Sequence, residues 1–170
     1  MCCEILKRPI ETEMVRASRL IFIFSVLLLF FCAGCRTASP LPSADFSAPG
    51  WRVQQGQAVW KPAPDRPELA GDLLLATNVN GNCFLQFSKM PFLLATAQVS
   101  GNQWQIEFGG DKYSRHGRGT PPAHFAWFQL PRALRDENIG GNWRFIRVET
   151  NSWRLENPRT GEILEGEIFQ

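Results

Sequence analysis

Residues that commonly carry metal-ion and acid–base chemistry are scarce in this sequence. Only two of its 170 residues are histidines, His116 and His124, and neither lies in an HExxH motif or beside paired cysteines. No G-x-S-x-G segment occurs, and Glu162, Glu165 and Glu167 near the end of the chain are typical of a solvated edge. We therefore expect no metal site, no bound cofactor and no enzyme activity.

An excess of one charge is also lacking. The chain has 18 Lys and Arg residues against 16 Asp and Glu residues, which gives a net charge of +2. A nucleic-acid-binding protein usually concentrates basic residues on one surface, so we expect no nucleic-acid partner. The length suits one domain of ordinary size, and we expect a monomer.

The longest apolar run is too short to cross a bilayer. Residues 20–33 form a run of 14 residues in which Ser25 is the one polar side chain. A membrane span needs about 20 apolar residues, whereas this length and the preceding Arg16 and Arg19 are typical of a signal peptide. Acidic residues before the run are unusual in such a leader, and Met14 offers an alternative start that excludes them.

The run ends in Cys32-Ala33-Gly34-Cys35, which resembles the lipobox of bacterial lipoproteins. The resemblance implies cleavage by signal peptidase II between Gly34 and Cys35, and acyl chains on Cys35. It also implies that Arg36, in place of aspartate, directs the protein to the outer membrane, facing the periplasm. A plain secretory signal or an uncleaved anchor is the alternative.

Cleavage would leave 136 residues with a net charge of +1, because four basic and three acidic residues lie in residues 1–34. Residues 35–49 would be the lipidated cysteine and a flexible tether rich in Pro, Ser and Ala, and residues 50–170 a single domain. Cys83 would be the one unmodified cysteine, either a buried apolar side chain or a reactive thiol.

Short alternating segments separated by turn residues predict a mainly β domain after residue 50. Asn80-Gly81 is a strong hairpin signal, and residues 103–108 alternate cleanly between apolar and polar side chains. Residues 109–122 are predicted as a loop, and residues 123–134 as a short helix that Pro131 ends or kinks. We expect a curled antiparallel meander of about eight strands that forms an incomplete β-barrel with one lid helix. The predicted strands are 51–60, 73–77, 83–88, 92–99, 103–108, 143–149, 153–156 and 162–169.

Large apolar side chains concentrate on the predicted inner face of this sheet, where they either line a cavity or fill a core. They are Leu85, Phe87, Leu94, Trp104, Ile106, Phe108, Trp143 and Phe145. The helix would cover the open end of the sheet with Phe125, Trp127 and Phe128.

The lipobox, the tether and the segment W-R-V-x-x-G-x-A-V-W at 51–60 together resemble the lipoprotein-localisation (LolA/LolB-like) family. Trp51, Gly56 and Val59 match the aromatic, glycine and aliphatic positions of that family's opening strand. The resemblance implies an incomplete barrel whose apolar cavity binds acyl chains or lipoprotein cargo. It further implies an exposed apolar turn that touches the membrane.

Two features are candidates for membrane contact. Met90, Pro91 and Phe92 would form the exposed apolar turn, and Arg115 and Arg118 beside Gly117 could hold an anionic headgroup, unless this stretch is simply a mobile loop.

Two other functions stay open. The chain could be an envelope lipoprotein that docks a protein partner in an outer-membrane or secretion assembly. A lipocalin-like binder fits less well, since Gly50 and Trp51 are adjacent and the G-x-W opening is absent.

Overall fold

The computed structural model describes residues 40–110 and 113–169. These residues form one antiparallel sheet of nine strands and one helix, α1. The elements in chain order are β1 (Trp51–Lys61), β2 (Leu69–Asn78), β3 (Cys83–Lys89), β4 (Phe92–Ser100), β5 (Gln103–Phe108), β6 (Tyr113–Arg118), α1 (Ala126–Leu134), β7 (Arg144–Arg147), β8 (Ser152–Asn157) and β9 (Glu162–Phe169).

The sheet follows the chain in hairpins, with one long-range pairing. Its order is β6-β5-β4-β3-β2-β1-β9-β8-β7, so the last long strand returns to lie beside the first. Strands β6 and β7 are its two edges, and the sheet is not closed into a barrel. The predicted mainly β meander with one short helix is therefore confirmed.

The predicted strand number is wrong by one. Residues 113–118, predicted as part of a loop, form β6 and pair with β5 along its whole length, Trp104 opposite Gly117. Glycine and basic residues have weak strand propensity, so this strand is stabilised by backbone pairing with β5 and not by its own sequence.

Glycines let three strands approach closely beside β1. A Cβ on Gly166 of β9 would overlap the carbonyl oxygen of Gln57, and one on Gly56 of β1 would overlap that of Glu167. On β2, a Cβ on Gly71 would overlap the carbonyl oxygen of Ser88. Backbone atoms therefore leave no space for a side chain at these positions, two of them between β1 and β9 and one between β2 and β3.

Helix α1 packs against one side of the sheet, which we call the inner face. Phe125 precedes the helix with an extended backbone, and the helix continues past Pro131 to Leu134. The helix thus begins three residues later than predicted and ends at Leu134, as predicted, so that Pro131 lies inside it and does not end it. Seven of its nine residues are buried, because the helix is apolar on most of its surface: Ala126, Trp127, Phe128, Gln129, Leu130, Pro131 and Ala133.

The inner face of β1 has a different composition from that of its neighbours. Gly56 and Ala58 are buried on the side of the sheet that faces α1. Alternate residues of a strand share a face, so Arg52 and Gln54 lie on this side too. Val53 consequently faces outward and is 47% exposed.

Candidate functional site

The eight residues predicted to line a cavity all belong to one core. Four are buried, Leu85, Phe87, Ile106 and Trp143, and four are partly buried and pack against the same cluster, Leu94, Trp104, Phe108 and Phe145. They come from β3, β4, β5, β7 and the residue before β7, so the curled sheet brings distant parts of the chain together.

The lid residues lie directly on these side chains. Trp127 stacks on Phe87 with ring centroids 5.2 Å apart, and Phe128 meets Trp104 edge-on at 5.9 Å. Phe125 contacts Phe108 at a centroid distance of 6.1 Å. The aromatic rings of the helix therefore occupy the space between α1 and the inner face.

Three indole N–H groups in this core have no hydrogen-bond partner among the described residues. They belong to Trp104, Trp127 and Trp153. Trp143 shows the usual arrangement, since its indole N–H donates to the carbonyl oxygen of Ala123 at 2.8 Å. A buried donor without a partner costs roughly 1–3 kcal/mol, so the three indoles are places where a ligand acceptor would be favourable.

Trp60 is part of the core but was not among the predicted site residues. Its ring stacks on Phe108 at 5.8 Å and meets Trp127 edge-on at 5.2 Å. Its indole N–H donates to Glu162 Oε1 at 2.9 Å. Burial raises the pKa of the Glu162 carboxyl, and the hydrogen bond from Trp60 opposes this rise. The sequence does place Trp60 on the same face of β1 as Gly56 and Ala58, because alternate residues of a strand share a face.

The predicted apolar turn joins β3 to β4 and projects from the sheet. Met90 is 89% exposed and Phe92 is 67% exposed, with exposed Pro91 between them. Met90 also borders an open depression of about 560 Å³ on the outward face, beside Val59 and Ala70. Three consecutive exposed apolar residues are uncommon on a protein surface that has no partner.

The two arginines predicted to hold a headgroup do not form a cradle. Both lie on the edge strand β6, where Arg115 is opposite Ile106 and Arg118 opposite Gln103. Residues three apart in a strand point to opposite faces. Arg115 instead places its guanidinium over the Tyr113 ring, 5.2 Å from the centroid.

Part of the predicted tether lies on the outward face of the sheet. The backbone N–H of Leu41 donates to Gln105 Oε1 at 2.6 Å, and the Phe46 ring meets Phe84 edge-on at 5.1 Å. We call residues 40–49 the strap. The strap crosses β3, β4 and β5, so these residues are held by the domain they connect.

Cys83 is a buried free thiol on β3. Burial raises its pKa to about 11, although the nearby Arg135 guanidinium lowers it slightly. Such a thiol is protonated and unreactive at neutral pH, which agrees with the prediction of a buried apolar side chain and not with that of a reactive thiol.

The lipidation position falls outside the described residues, as do Gly34 and the whole predicted signal segment. Within 40–110 and 113–169, no helix is long and apolar enough to cross a membrane. The same ranges contain no group of three His, Cys, Asp or Glu side chains that could hold a metal ion. No protein-family model matches the chain, and no curated protein matches it.

Proposed function

We propose that this protein is a non-catalytic lipoprotein of the bacterial outer membrane, anchored through acyl chains on Cys35 and facing the periplasm. Its β domain makes a second contact with the membrane surface through Met90, Pro91 and Phe92. The observation that carries this proposal is the exposure of the apolar turn, with Met90 at 89% and Phe92 at 67%. Apolar area contributes roughly 25 cal/mol per Å² when it leaves water, so insertion of these side chains would add to the anchor.

The packing of the inner face favours membrane contact through the apolar turn over transport of an acyl chain in a cavity. Phe87, Trp127 and Trp104 pack against one another or against Phe128 without an intervening ligand space. An acyl chain could enter only if α1 moved away, whereas the apolar turn is available in the structure as it stands.

The anchor is tested by replacing the lipobox cysteine. Cys35→Ser should abolish labelling of the protein by palmitate and leave either uncleaved precursor or released protein. Cys83→Ser is the matched control and should label as the wild type does, because this thiol is buried in the sheet. Labelling of the Cys35→Ser protein would contradict the proposal.

The apolar turn is tested with phosphatidylglycerol vesicles on residues 36–170, which lack both the acyl chains and the apolar run at 20–33. Met90→Ser combined with Phe92→Ser should reduce the bound fraction several-fold. Val79→Ser is the control, since Val79 is 91% exposed in the β2–β3 turn and also apolar. Equal binding by the three proteins would show that the turn is not a membrane contact.

A second candidate is acyl-chain binding between α1 and the inner face, as the resemblance to the lipoprotein-localisation family implies. The observation that favours it is the set of unpaired indole N–H groups of Trp104, Trp127 and Trp153. A fatty-acid carboxylate or ester carbonyl would accept these hydrogen bonds once the helix moved.

A fluorescent fatty-acid probe tests this second function. Saturable binding that weakens in Trp104→Phe, which removes the N–H and keeps an aromatic ring, and disappears in Trp104→Glu would support it. Absence of probe binding by a protein with native circular dichroism would exclude acyl-chain binding and leave membrane contact through the apolar turn.

A further inference from the structure

A polar pocket of about 280 Å³ opens at one end of the inner face. It lies between the C-terminal end of α1, the first residues of β1 and the turn from β7 to β8. We call it the end pocket. Three arginines contribute to its wall, each from a different element: Arg52, Arg135 and Arg147.

Arg52 interrupts the apolar inner face. Leu75 and Trp153 lie on the same side of the sheet and border the same pocket. Arg52 is exposed at this end of the inner face, and in the described residues it has no ion pair. Departures from an otherwise consistent pattern concentrate at functional sites, which makes Arg52 the informative residue.

The end pocket keeps an excess of positive charge after its internal pairs are counted. Arg135 Nε bonds to Glu137 Oε1 at 2.6 Å, and Arg147 Nη2 bonds to Asp136 Oδ1 at 3.0 Å. Both acids are exposed at the surface beyond the helix, and the three guanidiniums exceed the two carboxylates by one charge. Each guanidinium has five N–H donors; Arg135 and Arg147 each use one nitrogen in an ion pair and Arg52 uses none, so most donors remain available.

The other polar groups of the wall also suit an anion. Thr77, Thr150 and Ser152 contribute hydroxyl groups, and Asn151 contributes a side-chain amide that can donate. Trp153 borders the pocket, and its buried indole N–H has no acceptor in the described structure. The wall therefore holds several groups that can donate a hydrogen bond to an anion.

We propose that the end pocket binds a small phosphate-type oxyanion through Arg52, Arg147 and Arg135. The guanidinium fork matches tetrahedral and carboxylate oxygens, and phosphate satisfies two arginines at once. A volume of about 280 Å³ limits the bound group to a small anion or a lipid headgroup phosphate. This site is separate from the apolar turn, because Met90 and Phe92 lie on the β3–β4 connection and line no part of it.

The site is tested by titrating inorganic phosphate into the full-length protein. Calorimetry measures the binding at constant ionic strength, and chloride is the reference anion. Arg52→Gln should weaken phosphate binding at least tenfold, and Arg147→Gln should weaken it as well. Arg66→Gln is the matched control, since Arg66 is exposed in the β1–β2 loop and outside the pocket. Circular dichroism and urea unfolding verify that each variant is folded.

A second arm identifies the source of the phosphate. Phosphatidylglycerol and phosphatidylcholine vesicles are compared with inorganic phosphate, using residues 36–170 of the wild type, of Arg52→Gln and of the Met90→Ser/Phe92→Ser protein, so that no acyl chain contributes to vesicle binding. Loss of vesicle binding in Arg52→Gln without any inorganic phosphate binding would identify a lipid headgroup. Phosphate binding that survives Met90→Ser/Phe92→Ser would separate this site from the apolar turn. Equal binding by wild type and Arg52→Gln, or none by the folded wild type in either arm, would overturn the proposal.

Discussion

The Trp127 ring lies against the Phe87 ring with centroids 5.2 Å apart and an angle of 28° between their planes. This stack joins the first turn of α1 to the sheet, since Phe87 lies on β3 and is fully buried. A helix fixed by such a contact is part of the core, and its removal exposes apolar surface on both partners.

The first prediction concerns the stability of this contact. Trp127→Ala should lower the free energy of unfolding by about 3–5 kcal/mol, as large-to-small substitutions of buried aromatic residues do. Trp127 is 1% exposed. Urea unfolding followed by circular dichroism measures the change, and Val79→Ala should stay within about 0.5 kcal/mol of wild type. A loss below about 1 kcal/mol for Trp127→Ala would indicate that α1 is detached from the sheet in solution.

The second prediction concerns the pH dependence of stability. Burial raises the pKa of Glu162 in the folded protein, so the folded state binds more protons than the unfolded state near and above the ordinary value of 4.5. Stability contributed by this group is full below that value and falls as the pH rises through the folded pKa. Glu162→Gln should therefore remove this decline while retaining an acceptor for Trp60.

Trp60→Phe provides the matched comparison. The indole N–H of Trp60 lowers the pKa of Glu162, so its loss should raise that pKa further and steepen the decline. Urea unfolding from pH 4 to pH 8 gives the comparison, with Glu165→Gln as a control on the same strand. Parallel pH profiles for wild type and Glu162→Gln would contradict the assignment to Glu162.

The third prediction concerns the close approach of β1 and β9. Gly166→Ala should destabilise the fold by several kcal/mol or prevent folding, because the added Cβ overlaps the backbone carbonyl of Gln57. Gly140→Ala is the milder counterpart, since its Cβ would meet only the Ala123 side chain, at 3.3 Å. Thermal unfolding of the two variants gives the comparison, and similar melting temperatures would contradict the prediction.

The strands were predictable where the local sequence determines both the element and its face. Alternation at 103–108 and the Asn80-Gly81 turn predict β5 and the β2–β3 hairpin, and both are present. Strand β6 was not predictable, since it depends on pairing with β5.

The state of the inner face could not be predicted from the sequence. Alternation identifies which side chains share a face, but it does not show what lies opposite them. Only the position of α1, with Trp127 on Phe87 and Phe128 on Trp104, shows that rings occupy that space. The end pocket was missed for a similar reason, because Arg52 is far from Arg135 and Arg147 in the chain.

The fourth prediction concerns the thiol of Cys83, measured in a protein whose other cysteines are replaced by serine. Burial raises its pKa from 9.0 to about 11. At pH 8 this lowers the thiolate fraction about a hundredfold, and only the thiolate attacks a disulfide reagent. The folded protein should therefore react with such a reagent at least about a hundredfold more slowly than the urea-unfolded protein. Arg135→Gln should slow the reaction further, because the guanidinium favours the thiolate. Equal rates in the folded and unfolded states would show that Cys83 is accessible, and would favour the reactive-thiol alternative.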